Sequence, residues 1–275
     1  MKKVSSAIKA AIIFLICIIE IYPLFWMFTA SLKQQSEWTT KPAYALNSGF
    51  HWQNYVDAWT RGNMATFFKN SLICTLISLV FIVIFSVTVG FACTKMQWKF
   101  RDAIAQYFKF GIMIPIAIAL IPLFQIYSKG NLLNTRICLI ITYVAFGLSL
   151  SIYLVQGYLR SFPDDLLEAA VIDGCGIYKL MYHVVVPLMK NAIVTVLVLQ
   201  FFFKWNDLLF SMTFISDSSL KTVQTGLLYF SDEFGSKNWG AIFASVSLSV
   251  FPLLILYTML NKRLMEGMTA GAVKG

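Results

Sequence analysis

Residues 161–187 read SFPDDLLEAAVIDGCGIYKLMYHVVVP and separate two long apolar stretches. The first half of this segment carries four carboxylates, on Asp164, Asp165, Glu168 and Asp173. An ionised side chain at membrane depth costs several kcal/mol or must snorkel to the surface, so a helix inside the lipid would exclude this set. The segment is therefore predicted to lie outside the membrane, as a loop on which another protein docks.

The composition shows what lies on either side of this loop. The chain has 275 residues, of which 58% are hydrophobic and 13% charged, and its mean hydropathy is +0.71. A helix needs about 20 apolar residues to cross the hydrocarbon core. Six stretches meet that requirement, at about 10–30, 71–93, 103–127, 137–158, 191–215 and 239–260. The sequence predicts an all-α membrane protein with six transmembrane helices in a single transmembrane domain over residues 1–275.

The basic residues indicate the orientation of these spans, because Lys and Arg accumulate on the cytoplasmic side of membrane proteins. With the N-terminus in the cytoplasm, thirteen basic residues fall on the inner side and eight on the outer side, and Lys204 lies within a span. This distribution predicts that both termini and the 161–187 loop are cytoplasmic. The net charge of +9 is explained by topology, so no nucleic-acid partner is expected.

Aromatic residues are dense in the outer segment between the first two spans. Trp38, Trp52, Tyr55 and Trp59 fall within about 20 residues of each other. Tryptophan and tyrosine collect at the membrane–water interface, where an apolar ring and a polar edge are both accommodated. The segment is predicted to form a lid that lies on the outer membrane surface.

The start of the charged loop predicts a short helix beginning near Pro163. Ser161 can cap it, and the carboxylates of Asp164 and Asp165 complement the positive end of the helix dipole. Small side chains at Ala169 and Ala170 keep its profile slim enough for a partner to approach closely. One apolar face is expected, formed at helical spacing by Leu166, Leu167, Ala170 and Val171.

Gly174 is predicted to end this helix, because glycine readily adopts the positive φ that turns the chain. A second short helix would then carry Tyr178, Leu180 and Met181 toward Pro187, which precedes the next span. Two short helices joined by a glycine turn form a knob that fits a groove on a partner. An ordinary amphipathic loop helix remains the alternative, since three letters such as Glu-Ala-Ala occur widely by chance.

The spacing Glu168-Ala169-Ala170, then Gly174 after three residues and Pro187 after a further twelve, resembles the EAA loop of ATP-binding-cassette (ABC) importer permeases. That loop engages the ATPase subunit in the family. The family usually places Ile-x-Leu-Pro where this chain has Val184-Val185-Val186-Pro187. Other stretches resemble the carbohydrate branch, specifically the maltose-type second permease subunit, over residues 23–275. They are Asn70-Ser71-Leu72, Ile114-Pro115, Ile121-Pro122-Leu123-Phe124, Trp205-Asn206-Asp207 and the tail GMTAGAVKG at 267–275.

The resemblance implies a type I ABC importer permease fold with cytoplasmic EAA coupling helices, in the cytoplasmic membrane of a bacterium. It implies four kinds of partner: a homologous second permease completing a heterodimeric pore, two ATPase subunits, an extracellular sugar-binding protein, and a di- or oligosaccharide cargo. ATP and Mg²⁺ would be used by the ATPase subunits, and no cofactor or enzymatic activity is expected in this chain, which has no Gly-x4-Gly-Lys-Ser/Thr loop.

The same resemblance implies which residues meet the ATPase. Coupling is assigned to the loop residues Glu168, Ala169, Ala170, Asp173, Gly174 and Pro187. The C-terminal tail, through Gly271 and Lys274, is expected to reach between the ATPase subunits. By the family's pattern, ATP-driven closure of the ATPase dimer moves the Glu168 loop as a rigid body and switches the pore from inward-facing to outward-facing.

Polar residues in the fifth span are candidates for the substrate path. Gln200, Trp205, Asn206 and Asp207 offer an aromatic ring and hydroxyl-binding groups at membrane depth. Lys204 stands three residues before Asp207, so substrate contact and mutual neutralisation on one helix face are both open. In the third span Pro115 and Pro122 lie on nearly the same helical face, where each bends the helix.

Two other classes of membrane protein are weighed against the importer. An ion-coupled secondary transporter would be complete in one chain and usually shows internal repeats, which are not visible between the two halves. An intramembrane enzyme would need a paired nucleophile and base or a metal cluster, and neither His51 nor His183 has metal-ligand spacing around it. Dependence on ATP would separate the importer from the ion-coupled carrier.

Overall fold

The structure, a computed structural model, describes residues 2–233 and 238–272. Every element in the described ranges is helical. A five-residue π-helix covers Met181–Val185 and a 3-10 turn covers Ser218–Leu220. The α-helices are α1 (Lys2–Ser31), α2 (Glu37–Thr40), α3 (Gln53–Thr60), α4 (Met64–Lys95), α5 (Arg101–Met113), α6 (Ile116–Lys129), α7 (Arg136–Arg160), α8 (Asp164–Ile172), α9 (Ile177–Leu180), α10 (Val186–Leu188), α11 (Lys190–Trp205), α12 (Leu209–Phe214), α13 (Val223–Glu233) and α14 (Trp239–Ala272).

Four helical segments are long and apolar enough to cross a membrane alone, namely Ile8–Ser31, Met64–Lys95, Arg136–Arg160 and Trp239–Asn261. Two more candidates are bent pairs, Arg101–Met113 with Ile116–Lys129 and Ile177–Leu188 with Lys190–Trp205. Counting each pair as one span gives the six predicted, and the all-α membrane class is confirmed.

The third span is broken rather than gently kinked. Its two helices, α5 and α6, meet at an angle of 102°. Pro115 precedes α6 with ψ 127°, and Ile114 before it is also extended, with ψ 118°. Proline has no N–H to donate and disfavours a helical conformation in the residue before it, which explains a break at this dipeptide. Pro122 stays inside α6, so only one of the two prolines ends a helix.

The fifth span also departs from the predicted 191–215. The chain bends by 76° next to Met189, between the end of the 161–187 loop and α11. Helix α11 then ends at Trp205 rather than continuing. The carboxylate of Asp207 accepts hydrogen bonds from the backbone N–H groups of Phe210 (3.2 Å) and Ser211 (3.0 Å). A side chain that satisfies these free donors favours the start of a new helix, which is α12.

The chain forms two compact units, one from residues 1–67 and 225–252 and the other from 68–224 and 253–275. In the first unit, aromatic rings form part of the packing. Phe243 stacks on Trp38 at a centroid distance of 5.2 Å and meets the edge of Trp26 at 5.1 Å. Gly226 lies so close to the ring of Phe67 that a Cβ would overlap it. The aromatic residues of the predicted lid therefore fall into two groups. Trp38 packs inward, whereas Trp52 and Trp59 are exposed.

A buried carboxylate organises the outer segment of the first unit. Glu37 accepts hydrogen bonds from the backbone N–H of Gln34 (3.0 Å), the ammonium of Lys41 (3.0 Å), and both the N–H and the hydroxyl of Ser48. The hydroxyl bond from Ser48 is the largest cause that lowers the pKa of Glu37 to about 2. Lys33 donates to the carbonyl of Ala43 (2.9 Å), and these contacts close the segment on itself.

The second unit holds two apolar cores. One joins α12 with α4, α6 and α7 around Tyr127, Tyr143 and Phe210. The other joins α4, α7 and α11 and continues without interruption into the charged loop through Phe162, Leu167 and other side chains. Because the loop shares a core with the spans, it packs as part of this unit rather than as a detached connection.

Candidate functional site

The first helix of the charged loop begins close to the predicted position. Helix α8 starts at Asp164, directly after Pro163, and carries Asp164 and Asp165 in its first turn. Ser161 does not cap it, which corrects one prediction. The Ser161 hydroxyl donates to the carbonyl of Tyr158 at 2.7 Å. It therefore serves the end of α7 and not the start of α8.

A lysine from a different helix holds the start of α8. The ammonium of Lys95, the last residue of α4, donates to the carbonyl of Phe162 at 2.8 Å and to Oδ1 of Asp164 at 2.6 Å. The Lys95 side chain is 8% exposed and that of Asp164 is 69% exposed. This contact could not be predicted from the sequence, because Lys95 and Asp164 are 69 positions apart and no local motif links them.

The apolar face of α8 is only partly covered by the core. Leu167 is buried in the shared core and Ala170 packs half-buried against it, whereas Leu166 and Val171 are exposed. The four positions fall on one face of the helix, as predicted, but the core covers only part of that face. The other apolar side chains, together with exposed Glu168, remain on the surface.

Gly174 makes the predicted turn, with φ at +77°. The turn is closed by the N–H of Cys175, which donates to the carbonyl of Ala170 at 3.0 Å, and by the N–H of Asp173, which donates to Ala169 at 2.9 Å. Positive φ costs glycine little because it has no Cβ. The prediction that glycine ends this helix and turns the chain is confirmed.

A groove of about 470 Å³ opens between α8, α9 and the end of α4. Glu168 lines it, and the rest of its lining is mainly apolar. Ile172 stands on this groove with 84% of its surface exposed. The main apolar side chains that line the groove are Phe91, Met96, Leu167, Val171, Ile172 and Ile177. An exposed carboxylate beside a largely apolar cleft can combine an oriented ionic contact with burial of a partner's side chain.

Four other predicted coupling residues do not line the groove. Ala169, Asp173, Gly174 and Pro187 are exposed outside its lining. The tail residue Gly271 falls near the end of α14. Lys274 lies outside the described residues.

A second cavity, of about 320 Å³, lies where α5 breaks and α11 ends. Gln200 and Asp207, two of the four predicted substrate-path residues, line it together with Lys204. Trp205 does not line it, because its ring stacks on Phe201 at a centroid distance of 5.5 Å. Asn206 is also outside the lining, and its amide donates to the carbonyl of Phe202 at 2.9 Å.

Tyr143 stands between the two charged residues of this cavity. Its hydroxyl donates to Oδ2 of Asp207 at 2.8 Å, and the ammonium of Lys204 lies 5.6 Å from the centre of its ring. Lys204 and Asp207 do not share a helix face, because α11 ends at Trp205. Among the ion pairs of the described ranges, none joins these two side chains within 4.0 Å.

Tyr143 and Ser149, which line this cavity from α7, were not predicted as site residues. Both lie in an ordinary apolar span, so neither carries a signal of its own. Gly111 is a partial sequence signal for this site. A Cβ there would overlap the hydroxyl of Ser149, so only a glycine allows α5 to approach α7 this closely. In the part of the chain that the structure describes, no three His, Cys, Asp or Glu side chains gather to hold a metal ion.

Comparison with known proteins identifies relatives along almost the whole chain. The family model described as binding-protein-dependent transport system inner membrane component matches residues 82–268. The probable ABC transporter permease protein YurM of Bacillus subtilis is 30% identical over 263 residues, 96% of this chain and 87% of that protein. The diacetylchitobiose uptake system permease protein NgcG of Streptomyces coelicolor is 28% identical over 270 residues, 98% of this chain and 89% of that protein.

A solved structure shares the fold. It is that of a bacterial ABC transporter involved in the import of the acidic polysaccharide alginate, with a TM-score of 0.85 and 20% sequence identity. The match covers 94% of this chain and 96% of that chain. This likeness confirms the predicted fold, while at such identity it says nothing about cargo.

Proposed function

Because the chain belongs to the binding-protein-dependent transport system inner membrane component family, we propose that it forms half of the pore of an ATP-driven importer for a di- or oligosaccharide. The family assignment made from the loop and tail motifs is confirmed, and the protein is a multi-pass membrane permease. The observation that carries the coupling proposal is the groove beside Glu168, built on helices that share a core with the spans.

We propose that the ATPase docks on this groove. Ile172 and Val171 are exposed and would be covered by a partner, and Glu168 would make a charge-assisted contact at its edge. Lys95 and the buried Leu167 fix α8 to the spans. A displacement of the ATPase would then move α8 and the neighbouring spans together, because packed cores shift as bodies rather than deform.

The remaining partners are proposed on the same basis. A homologous second permease completes the pore, two ATPase subunits use ATP and Mg²⁺, and an extracellular sugar-binding protein delivers the cargo. The first span exposes residues 8–25, an apolar surface that lipid and the second permease can cover. We propose that both termini lie in the cytoplasm, where Gly271 and Lys274 of the tail reach the ATPase.

The sugar cargo is inferred from relatives. NgcG is named for uptake of diacetylchitobiose, and the structural neighbour is described as importing alginate. Both cargoes are built from sugar rings, although one is neutral and the other acidic. We infer a carbohydrate importer whose individual sugar follows from its binding protein.

The test is purification of the tagged chain from its native cells in mild detergent, with the co-purifying subunits weighed and assayed for ATP hydrolysis. A second permease, an ATPase and a binding protein should be recovered, and one sugar should stimulate hydrolysis. Recovery of this chain alone, with uptake driven by an ion gradient in vesicles lacking ATP, would instead establish the self-contained carrier.

A further inference from the structure

The cavity beside the α5–α6 break has the dimensions of a small-molecule site. Its volume of about 320 Å³ is at the lower end of the range of about 300–1,000 Å³ that ligand pockets occupy. Phe146, Phe203 and Phe210 contribute aromatic lining, and Ile114 and Phe203 are exposed at its rim. The cavity therefore combines apolar walls with a rim that is open to the surface.

Gln200 presents a buried acceptor without a partner. The side chain is 2% exposed, and its Nε2 donates to the carbonyl of Gly147 at 3.2 Å, which fixes the orientation of the amide. Its Oε1 accepts no hydrogen bond within the described part of the chain. Leaving a buried acceptor unpaired is unfavourable by about 1–3 kcal/mol, so a group that donates to it is favoured here.

Lys204 presents the complementary donor in the same cavity. It is 9% exposed, and its ammonium lies over the ring of Tyr143. No oxygen of a described residue accepts a hydrogen bond from this ammonium. A buried ammonium needs acceptors to replace the water it has lost. The cavity thus offers one unpaired donor and one unpaired acceptor, which is the pair that a hydroxyl group can satisfy.

The charges of the cavity favour an uncharged ligand. The carboxylate of Asp207 accepts from the hydroxyl of Tyr143 and from two backbone N–H groups, so it is already satisfied. Its negative charge nevertheless lies in the same lining as the positive charge of Lys204. The two formal charges cancel, and an anionic ligand drawn to Lys204 would be repelled by Asp207.

We propose that this cavity binds one uncharged sugar ring during translocation, with Lys204 donating to one hydroxyl and Gln200 Oε1 accepting from another. This inference rests on the proposed sugar-importer function and assigns that function's ring-binding site. Gln200 and Lys204 both lie on α11, the helix that follows the charged loop, so a movement of the loop changes the binding geometry.

The test uses the complete importer reconstituted in vesicles, with its own binding protein. Uptake of neutral disaccharides, including diacetylchitobiose, and of alginate oligosaccharides is measured beside binding-protein-stimulated ATP hydrolysis. Gln200→Leu and Lys204→Met should each lower uptake of the neutral sugar about tenfold, because a sugar hydroxyl loses its partner, while ATP hydrolysis stays within about twofold. Lys204→Arg should recover much of the uptake, since it keeps a charged donor.

Two further variants make the result independent of folding. Gln156→Leu removes a buried glutamine of α7 that lies outside the cavity lining, and uptake should not change. Ile116→Trp narrows the cavity from an exposed position of its lining while keeping every charged group, and it should block uptake without stopping ATP hydrolysis.

The outcomes separate the two proposals. Uptake of no sugar by the unmodified importer would contradict the proposed function. Uptake of alginate oligosaccharides alone would overturn the uncharged-ring inference and leave the importer intact. Neutral-sugar uptake that is equal in the unmodified protein, Gln200→Leu, Lys204→Met and Ile116→Trp would show that sugar does not pass through this cavity.

Discussion

The ammonium of Lys95 lies 2.6 Å from the carboxylate of Asp164 and joins the end of α4 to the start of α8. The same ammonium donates to the carbonyl of Phe162 at 2.8 Å, and that residue's ring is buried in the core shared by the loop and the spans. The loop is therefore attached to the membrane helices by both a charged contact and apolar packing, which is what a rigid transmission element requires.

Lys95→Met is predicted to loosen this attachment. It leaves the carbonyl of Phe162 without its donor, at a cost of about 1–3 kcal/mol, and it should lower both the melting temperature of the purified importer and the sugar transported per ATP. Asp164→Asn should cost less than about 1 kcal/mol, because the carboxylate is mostly exposed and its contact is screened. Equal effects of the two substitutions would contradict the primary role of the carbonyl bond.

Glu168→Lys is predicted to leave a folded permease that no longer couples to its ATPase. The residue is exposed on the groove, so the change in folding stability should stay within about 0.5 kcal/mol. Asp102→Lys, a charge reversal at another exposed carboxylate, serves as the control. Co-purification of the ATPase and sugar uptake are measured for both. Normal uptake by Glu168→Lys would refute the coupling role of this side chain.

Gly174→Ala is predicted to strain the turn between the coupling helices. The φ of +77° is unfavourable for a residue with a Cβ by about 1–2 kcal/mol, although no atom lies within 4 Å of the added methyl. Gly176→Ala is the matched control, since that glycine has the same open surroundings and a φ of −67°. Thermal unfolding should distinguish the two, with Gly174→Ala melting lower and Gly176→Ala unchanged or higher.

Ser48→Ala is predicted to make the outer segment acid-sensitive. The lowered pKa of Glu37, about 2 against 4.5, means that its hydrogen bonds contribute fully above pH 4.5 and are lost as the pH falls toward 2. Removing the Ser48 hydroxyl removes the largest cause of that lowering, so the segment is held less tightly above pH 4.5 and Glu37 becomes protonated at a higher pH than in the unmodified protein. Pepsin, which is active in acid, should cut the segment at a higher pH in Ser48→Ala. Ser36→Ala, whose hydroxyl does not cap α2, should match the unmodified protein.

Local signals in the sequence predicted some features well. Gly174 was expected to turn the chain because glycine alone adopts positive φ readily, and Asp164 and Asp165 were expected in a first helical turn. Ser161 was misassigned because a serine hydroxyl can serve the helix before it as well as the one after it. Which part of the apolar face of α8 the core covers was not predictable, since hydrophobic spacing does not say where the neighbouring helices pack.

The membrane spans likewise have some features that the sequence predicted and others that it did not. Pro115 ended a helix and Pro122 did not, although both sit in an apolar stretch. The difference arises because a proline at a helix start lacks only a hydrogen bond that would have no partner, whereas an interior one needs neighbouring groups to compensate. The bend beside Met189 follows Pro187, which was expected before the next span, although its angle was not predictable. The end of α11 followed from the bonds that Asp207 makes to the next helix.

The sequence by itself determined that the chain crosses a membrane in helices, where a charged loop interrupts them and which family they belong to, because hydrophobicity, charge and motif spacing are local properties. Only the tertiary structure decided that Lys95 holds Asp164, that Tyr143 bonds Asp207, and that Gln200 and Lys204 share a cavity. Those relationships depend on how separate helices pack, and packing is set by the complementary shapes of side chains far apart in the chain.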